Sequence, residues 1–348
     1  MQTKCGLFFT SYSQEAQLFP GRFQKTAIIL FLVVFAASPF FLETFIISIL
    51  NLLLIAVIGA VGLNILTGAC GQISLGHGAF IGVGAYASGW ATQMGIPFPL
   101  AMLWGGLAAA AVGMFFGIPS LRLKGIYLAI ATLAAQLILE YVFLHWEGLT
   151  GGAHGMLLDP PGILGFAFDT DQRMFWLILA VTFICVLMGT NIMRTQPGRA
   201  FVAIRDYYLS AEIAGVNLFK YKLYAFGISS FLAGIAGCLW AHYTMYIAPE
   251  QFNIGLSISY LAMIVIGGLG KVLGAILGAV FITLLPEALN LLSGYLSTWL
   301  PDISSSILAL REGVFGLALV LFLIFEPEGL AHRWKMIKAY WKLYPFAH

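Results

Sequence analysis

The chain has 348 residues, of which 60% are hydrophobic and 9% are charged, and its formal net charge is +2. A soluble domain is about one quarter charged, so this composition excludes a soluble enzyme and a nucleic-acid-binding protein. The mean hydropathy of +0.93 predicts an all-α polytopic membrane protein that sits in a lipid bilayer.

A helix needs about 20 apolar residues to cross a bilayer. Taken in chain order, the apolar runs predict about ten transmembrane helices, at residues 26–42, 45–67, 74–94, 99–118, 125–145, 174–193, 223–244, 254–269, 272–292 and 304–325. The run at 254–269 is also consistent with a re-entrant segment. The chain is thereby divided into a cytoplasmic N-terminal segment (1–25), a transmembrane domain (26–325, with a cytoplasmic loop at 194–222) and a cytoplasmic basic tail (326–348).

The charged residues favour one orientation of these spans. Lys and Arg resist translocation, so short basic loops stay in the cytoplasm. If the N terminus is cytoplasmic, the loop with Arg122 and Lys124, the loop 194–222 and the tail all lie inside. The loop 146–173, whose charges are mostly acidic, then lies outside. The sequence therefore predicts that both termini are cytoplasmic.

The stretch from Gly62 to Gly89 combines many glycines with several polar residues inside an apolar region. Polar groups in hydrocarbon must find partners. This pattern predicts an interrupted helix that lines a substrate path, with candidate residues Gln72, Ser74, Gly76 and His77. Hydrogen bonds that only hold the bundle together are the alternative. Small faces for close helix packing are predicted at two sets of small residues, Gly78, Gly82 and Ala85 with Gly89, and Gly270 with Gly274 and Gly278.

The loop 194–222 has the features of a docking surface. Pro197-Gly198 breaks the preceding helix, and apolar residues then recur at helical spacing up to a turn at Gly215. We expect an amphipathic helix with Ile204, Leu209 and Ile213 as apolar anchors for a soluble partner. A solvated linker is the alternative.

Two further features bear on function. In the outer loop, Thr150, Gly151 and Gly152 predict a tight turn, which could face a ligand or a binding partner, or be a plain surface turn. The four cysteines and the segment Gly267–Val272 match no metal or phosphate-binding motif, so no metal, cofactor or catalytic residue is expected. Few ionisable residues lie at mid-membrane, which argues against an ion-coupled carrier.

Five blocks of this sequence, in order, resemble the permease subunits of branched-chain amino-acid ABC importers of the LivM type. They are Gly62–Tyr86, Leu121–Thr132, Leu149–Gly155, Gly198–Phe226 and Ile264–Pro286. Cys70 and Gly78 are small departures from the family pattern, and the first 25 residues match nothing in it.

The resemblance implies the larger, type II-like ABC importer bundle in a bacterial cytoplasmic (inner) membrane. It implies three kinds of partner: a second permease subunit, two cytoplasmic ATPase subunits, and a periplasmic or lipid-anchored substrate-binding protein. The ATPase-coupling loop of the family matches Glu212, Ala214 and Gly215, and we assign Arg205 to the same site. Tyr127 and Thr132, in the second block, join the predicted substrate path.

The resulting hypothesis is a permease subunit of an ATP-driven importer for leucine, isoleucine, valine or a similar amino acid. ATP hydrolysis is then expected in the partner subunits. A urea or short-amide ABC permease and, from another class, an ion-coupled secondary carrier are the alternatives.

Overall fold

The computed structural model describes residues 33–120, 125–163, 166–297 and 328–343, together with 26, 30, 313, 316–317, 320–322 and 324–326. The structure is a bundle of α-helices. In chain order these are α1 (Thr44–Leu63), α2 (His77–Gln93), α3 (Phe98–Ser120), α4 (Ile126–His145), α5 (Asp171–Arg194), α6 (Gln196–Ile213), α7 (Leu218–Thr244), α8 (Ile254–Gly267), α9 (Val272–Ser297) and α10 (Leu330–Leu343).

Seven helical segments in the described part of the chain are long and apolar enough to cross a membrane. They are Thr44–Ala69, Phe98–Pro119, Ile126–His145, Asp171–Arg194, Leu218–Thr244, Pro249–Gly267 and Val272–Leu291. Each coincides with a predicted span. The predicted span 74–94 is α2, which has 17 residues and is therefore about 25 Å long. Parts of the predicted spans 26–42 and 304–325 lie outside the described residues, so the total of about ten spans stays a prediction.

Side chains at the helix starts satisfy free backbone N–H groups. Asn217 and Asn253 each accept a hydrogen bond from the N–H three residues later, at 3.0 and 3.1 Å, at the starts of α7 and α8. Thr170 does the same at the start of α5. Asn and Thr are favoured at this position because their side-chain oxygens reach these donors.

Three helices, α2, α3 and α7, cross one another at glycines. A Cβ atom on Gly84 of α2 would lie 2.3 Å from the Cα atom of Gly234 on α7. A Cβ atom on Gly237 would lie 1.9 Å from the backbone oxygen of Ile81. Only glycine permits these backbone contacts. The predicted small face of α2 takes part in this packing at Ala85, whose backbone N would lie 3.1 Å from a Cβ atom on Gly237. Gly82 and Gly89 of the same face contact side chains instead.

The helices α8 and α9 form a hairpin around a glycine turn. Gly268 and Gly270 in the turn have φ values of +110° and +79°. Gly274 and Gly278 on α9 lie against the backbone of α8, as their spacing predicts. Gly270 does not join them, because it packs against Gly68 and Arg205 instead.

At the opposite end of the bundle, the long loop between α4 and α5 contains short structural elements. A one-turn helix (Glu147–Thr150) is followed by strands β1 (Met156–Leu157), β2 (Gly162–Ile163) and β3 (Phe166–Ala167), and β4 (Tyr246–Ile247) follows α7. β1 pairs antiparallel with β4, and β2 pairs antiparallel with β3. The predicted all-α class is correct for the membrane domain but omitted these two-residue strands.

The glycine crossing yields a first prediction. Gly237→Ala places a methyl group against the backbone of Ile81, and the crossing helices must separate to admit it. We expect a loss of about 1–3 kcal/mol in the free energy of unfolding, by analogy with overpacked cores. The measurement is the thermal unfolding midpoint of the purified protein in detergent.

The matched control is Gly148→Ala, also a helical glycine, where a Cβ atom meets no described atom within 4 Å. An unfolding midpoint for Gly237→Ala equal to that of this control would show that the crossing is not tightly packed.

Candidate functional site

The candidate site is built around the start of α2, which lies inside the bundle. α1 continues as a π-helical turn (Asn64–Ala69), and the chain then runs through Gly71–Gly76 without regular structure. Nε2 of His77, the first residue of α2, lies 2.9 Å from the backbone oxygen of Gly59. Gly59 is ten residues before Ala69, or roughly 15 Å along the helix. The chain therefore turns back beside α1 before α2 begins, as the predicted interrupted helix requires.

A helix start buried at this depth needs partners for its free N–H groups, because neither water nor lipid supplies them. Side chains from α4 and α8 accept these bonds: Thr132 Oγ1 from Leu75 N (3.0 Å), Gln136 Oε1 from Ala79 N (2.8 Å) and Ser257 Oγ from Gly78 N (2.8 Å). The start of α2 is thereby held by helices that are distant in sequence.

Gln136 is the most connected residue of this cluster. Its Nε2 donates to the backbone oxygen of Phe252 at 2.6 Å, and its Oε1 also accepts from Ser257 Oγ at 3.1 Å. The side chain is fully buried. One amide on α4 thus joins α2 and the start of α8 through three hydrogen bonds.

His77 and Gln72 retain unused polar atoms. The Nε2 contact with a carbonyl oxygen assigns the proton of a neutral His77 to Nε2, since only an N–H can donate there. The ring also packs edge-on against Tyr260, with centroids 5.3 Å apart. His77 Nδ1 and Gln72 Oε1 are buried and have no hydrogen-bond partner among the residues that the structure describes. These two atoms are free to accept a bond from water or from a substrate.

The structure brings together five of the six predicted path residues, Gln72, Ser74, Gly76, His77 and Thr132, around the interruption. All five residues are buried, and all except Gly76 have polar side chains. Tyr127 lies apart from them near the start of α4, with 71% of its surface exposed.

Sequence reasoning missed Gln136 and Ser257. Gln136 gave a usable signal, because it is an amide in the middle of an otherwise apolar span. Ser257 gave none, since a single serine is common in such helices.

A second polar cluster joins the end of α1 to α6 and to the α8–α9 turn. Arg205 Nη1 donates to the backbone oxygen of Gly68 at 3.0 Å. Asn64 donates to the backbone oxygen of Lys271 and accepts from the N–H of Gly270, both at 2.9 Å. We call Asn64, Gly68, Arg205 and Gly270 the polar junction.

Close packing and an ion pair fix Arg205 in this junction. Its Nε and Nη2 donate to Asp206 Oδ1 at 2.9 and 2.8 Å. Gly71, with φ of +72°, lies so close that a Cβ atom there would be 2.9 Å from Cγ of Arg205. The start of the interrupting segment is therefore in direct contact with α6.

The helix α6 has the shape expected of the docking loop. It begins directly after Thr195, with Pro197 in its first turn, and it is kinked at Tyr207, where the backbone is extended (φ −158°, ψ 96°). Gly215 follows with φ of +85°. Glu212, Ala214 and Gly215 are all exposed.

The prediction that Ile204 is an apolar anchor for a partner is wrong. Ile204 is only 5% exposed, because it faces the membrane bundle and packs in its core. Leu209 and Ile213 remain exposed, the latter at 89%. A cleft of about 180 Å³ lies beside this region, lined by residues that include Gln72, Leu128, Arg205, Tyr208 and Lys222.

The outer loop forms the predicted tight turn. Gly151 and Gly152 have φ values of +74° and +58°. A Cβ atom on Gly151 would lie 2.1 Å from the backbone oxygen of Gly155. Thr150 is buried, and its hydroxyl donates to the backbone oxygen of Phe143, near the end of α4, at 2.7 Å. Thr150 thus stabilises the turn rather than facing outward.

Comparison with known proteins points to one family. The family described as branched-chain amino acid transport system / permease component matches residues 45–323. The high-affinity branched-chain amino acid transport system permease protein LivM of Escherichia coli strain K12 is 31% identical over 332 residues, which cover 88% of this chain and 75% of the relative.

More distant relatives extend the comparison. The probable branched-chain amino acid transport permease protein LivM of Methanocaldococcus jannaschii is 26% identical, over 66% of this chain and 67% of its own. The autoinducer 2 import system permease protein LsrC of Yersinia enterocolitica is 27% identical, over 87% of this chain and 85% of its own. No solved structure matches the chain.

The buried amide of Gln136 yields a second prediction. Gln136→Leu keeps the approximate volume but leaves the N–H of Ala79 and the carbonyl of Phe252 unpaired. Each such group costs about 1–3 kcal/mol, so we expect the free energy of unfolding to fall by about 2–5 kcal/mol. The measurement is again the thermal unfolding midpoint in detergent.

Gln93→Leu is the control for this change, because Gln93 is exposed and its side chain makes one hydrogen bond in the described part of the chain, to Leu157 O at 3.3 Å. If the two variants were equally stable, the cluster around α2 would not depend on Gln136.

Proposed function

This chain belongs to the family of branched-chain amino acid transport system permease components, and from that premise we propose how its structure couples transport to an energy source. It is a multi-pass membrane transport subunit and is not itself catalytic. ATP is hydrolysed by two cytoplasmic ATPase subunits, and a second permease subunit completes the membrane domain. A periplasmic or lipid-anchored binding protein delivers leucine, isoleucine, valine or a similar amino acid.

The proposed location is the bacterial cytoplasmic membrane, with about ten spans, a type II-like bundle and both termini inside. Contacts of the polar junction support this orientation. Asn64 contacts Lys271, and Arg205 contacts Gly68, so two basic segments meet at one end of α1. The loop with the acidic residues lies at the other end, where Asn51 of α1 donates to the backbone of Asp171. This separation of charge is what the positive-inside rule requires.

The docking surface for an ATPase subunit is the exposed part of α6 and the turn after it. Leu209 and Ile213 supply an apolar contact, and Glu212 supplies a charge at its rim. Such a combination suits a helix that docks in a groove of a partner. Ala214 and Gly215 form the turn that directs the chain back to α7.

One observation carries the coupling proposal, namely the hydrogen bond from Arg205 to Gly68. Arg205 lies on α6, two residues before the kink at Tyr207, and Gly68 lies on the turn that leads into the interruption. A displacement of α6 by the ATPase is therefore transmitted to Gly71–Gly76 and to the start of α2. A network with two arrangements is the physical requirement for such coupling.

The substrate path follows the same segment. Gln72, Ser74, Gly76, His77 and Thr132 line it once the segment moves, and Gln72 Oε1 and His77 Nδ1 supply unused acceptors for the substrate. Tyr127 contributes from the exposed face of α4, which the second permease subunit covers. The rigid turn at Thr150, Gly151 and Gly152 belongs to the surface that receives the binding protein.

Reconstitution tests the proposed function. The complete transporter in proteoliposomes should accumulate radiolabelled leucine when ATP and the binding protein are supplied. The chain alone should neither hydrolyse ATP nor transport. Uphill uptake by the chain alone, driven by an ion gradient, would identify a secondary carrier instead.

Arg205→Ala removes the bond between α6 and Gly68 and yields a third prediction. A hydrogen bond from a charged group is worth about 1.5–3 kcal/mol, so the ATP-driven uptake rate should fall by at least about tenfold. ATP hydrolysis and co-purification of the ATPase should persist, since the docking surface is unchanged.

Arg199→Ala is the matched control, because Arg199 is exposed on the same helix. Among the residues that the structure describes, its side chain makes one hydrogen bond, to Arg194 O, which is long at 3.4 Å. Equal uptake by Arg205→Ala and this control would exclude transmission through Gly68.

Gly215→Val forces a β-branched residue into positive φ and yields a fourth prediction. The strain of about 1–3 kcal/mol re-aims the docking turn, so the ATPase should co-purify poorly or hydrolyse ATP without uptake. Glu212→Lys should weaken association by reversing the charge at the rim. Both effects are measured by pull-down and uptake.

Gly95→Val controls for strain, since Gly95 also has positive φ and open space but lies between α2 and α3. Normal association and uptake in both Gly215→Val and Glu212→Lys would show that the loop is a solvated linker.

A further inference from the structure

The helix α10 has two distinct stripes along its length. Leu330, Trp334, Ile337 and Trp341 recur at the spacing of one helix face. In the sequence, Lys335, Lys338 and Lys342 recur at the same spacing, one residue after Trp334, Ile337 and Trp341. Trp334 and Ile337 are 54% and 50% exposed, and Lys335 and Lys338 are also exposed. An apolar stripe next to a basic stripe is typical of helices that lie in a membrane interface.

The first turn of α10 packs against the α8–α9 turn of the bundle. Gly329, with φ of +76°, lies so close to Gly268 that a Cβ atom there would be 2.6 Å from its Cα. Ala331 is buried near the same glycine. Gly268 begins the α8–α9 turn, which carries Lys271 at the end of the membrane spans. α10 therefore starts where the bilayer surface lies.

The charges near the start of α10 are already paired. Arg333 donates to Glu326, and His332 contacts Glu328. In the part of the chain that the structure describes, Lys335 and Lys338 have no ion-pair partner. Their charge is available to an external anion.

We propose that α10 lies in the membrane interface and that its lysine stripe binds the phosphates of anionic lipids. The apolar stripe enters the boundary between headgroups and acyl chains, where tryptophan is favoured. The lysine stems lie along this boundary while the ammonium groups remain at the phosphates. This inference goes beyond the proposed function, although it uses the same orientation of the chain.

Bound lipid has a direct route to the polar junction. Gly268 contacts the first turn of α10, and Gly270, two residues later, bonds to Asn64. Anchoring α10 therefore holds the α8–α9 turn against α1 and α6. Transport should consequently depend on the anionic lipid content of the membrane.

The test compares two triple variants of the complete transporter. K335Q/K338Q/K342Q removes the charges, and K335R/K338R/K342R keeps them. The lipid probe is phosphatidylglycerol, in proteoliposomes of phosphatidylcholine with or without it. The readouts are ATP-driven uptake and the phosphatidylglycerol that stays bound through purification, measured by mass spectrometry.

Each lysine at an anionic surface strengthens binding by roughly fivefold at low salt. We expect the Gln variant to retain at least about tenfold less phosphatidylglycerol and to lose the lipid dependence of uptake. The wild type and the Arg variant should retain phosphatidylglycerol and keep the lipid dependence of uptake. High salt should weaken the lipid binding and the lipid dependence in these two proteins.

Two outcomes would overturn the proposal. One is phosphatidylglycerol retention and lipid dependence in the Gln variant equal to wild type. The other is loss of the ATPase subunits from the Gln variant in every lipid, which would assign α10 to a protein contact.

A second measurement does not depend on the triple variants. Ile337→Cys, in a Cys5→Ser background, places a fluorophore on the apolar stripe of α10, and the label is specific because the other cysteines are buried. Spin-labelled lipid should quench this fluorophore in the membrane. An unquenched fluorophore would show that α10 projects into water.

Discussion

The start of α2 inside the bundle is the constraint on which the rest of the structure depends. A helix end leaves backbone N–H groups unpaired, and a bilayer offers them no water. Three side chains on α4 and α8 therefore have to reach these groups. Their bonds fix the position of both helices relative to α2 and explain why Gln136 and Ser257 are buried polar residues in apolar spans. The fold is organised around this one helix end.

Two regions of the bundle are held together by different kinds of contact. The crossing of α2, α3 and α7 is made by backbone contact at glycines, which leaves no room for relative movement there. The polar junction is held instead by single hydrogen bonds from Arg205 and Asn64, which can exchange partners. The first region is suited to remain rigid during transport, and the second is suited to move.

The sequence predicted the spans well because hydropathy over about 20 residues is a strong signal. It also predicted the helix break at Pro197 and the turn at Gly215, since both follow from local backbone preferences. It could not reveal which residue meets which across the bundle. Gln136 is 57 residues from Ala79 and 116 from Phe252, and Ile204 is apolar whether it faces a partner or the core. The two-residue strands were missed because so short a segment has no recognisable period.

The π-helical turn at Asn64–Ala69 makes the chain length at this point invariant. Each residue of an α-helix advances the side-chain direction by about 100°. Deleting one residue here would restore regular helix but rotate either Asn64 or Gly68 out of the polar junction. Adding one residue would also rotate Asn64 relative to Gly68, in the opposite direction. Insertions and deletions should therefore be tolerated in the loop between α4 and α5 long before they are tolerated in these six residues.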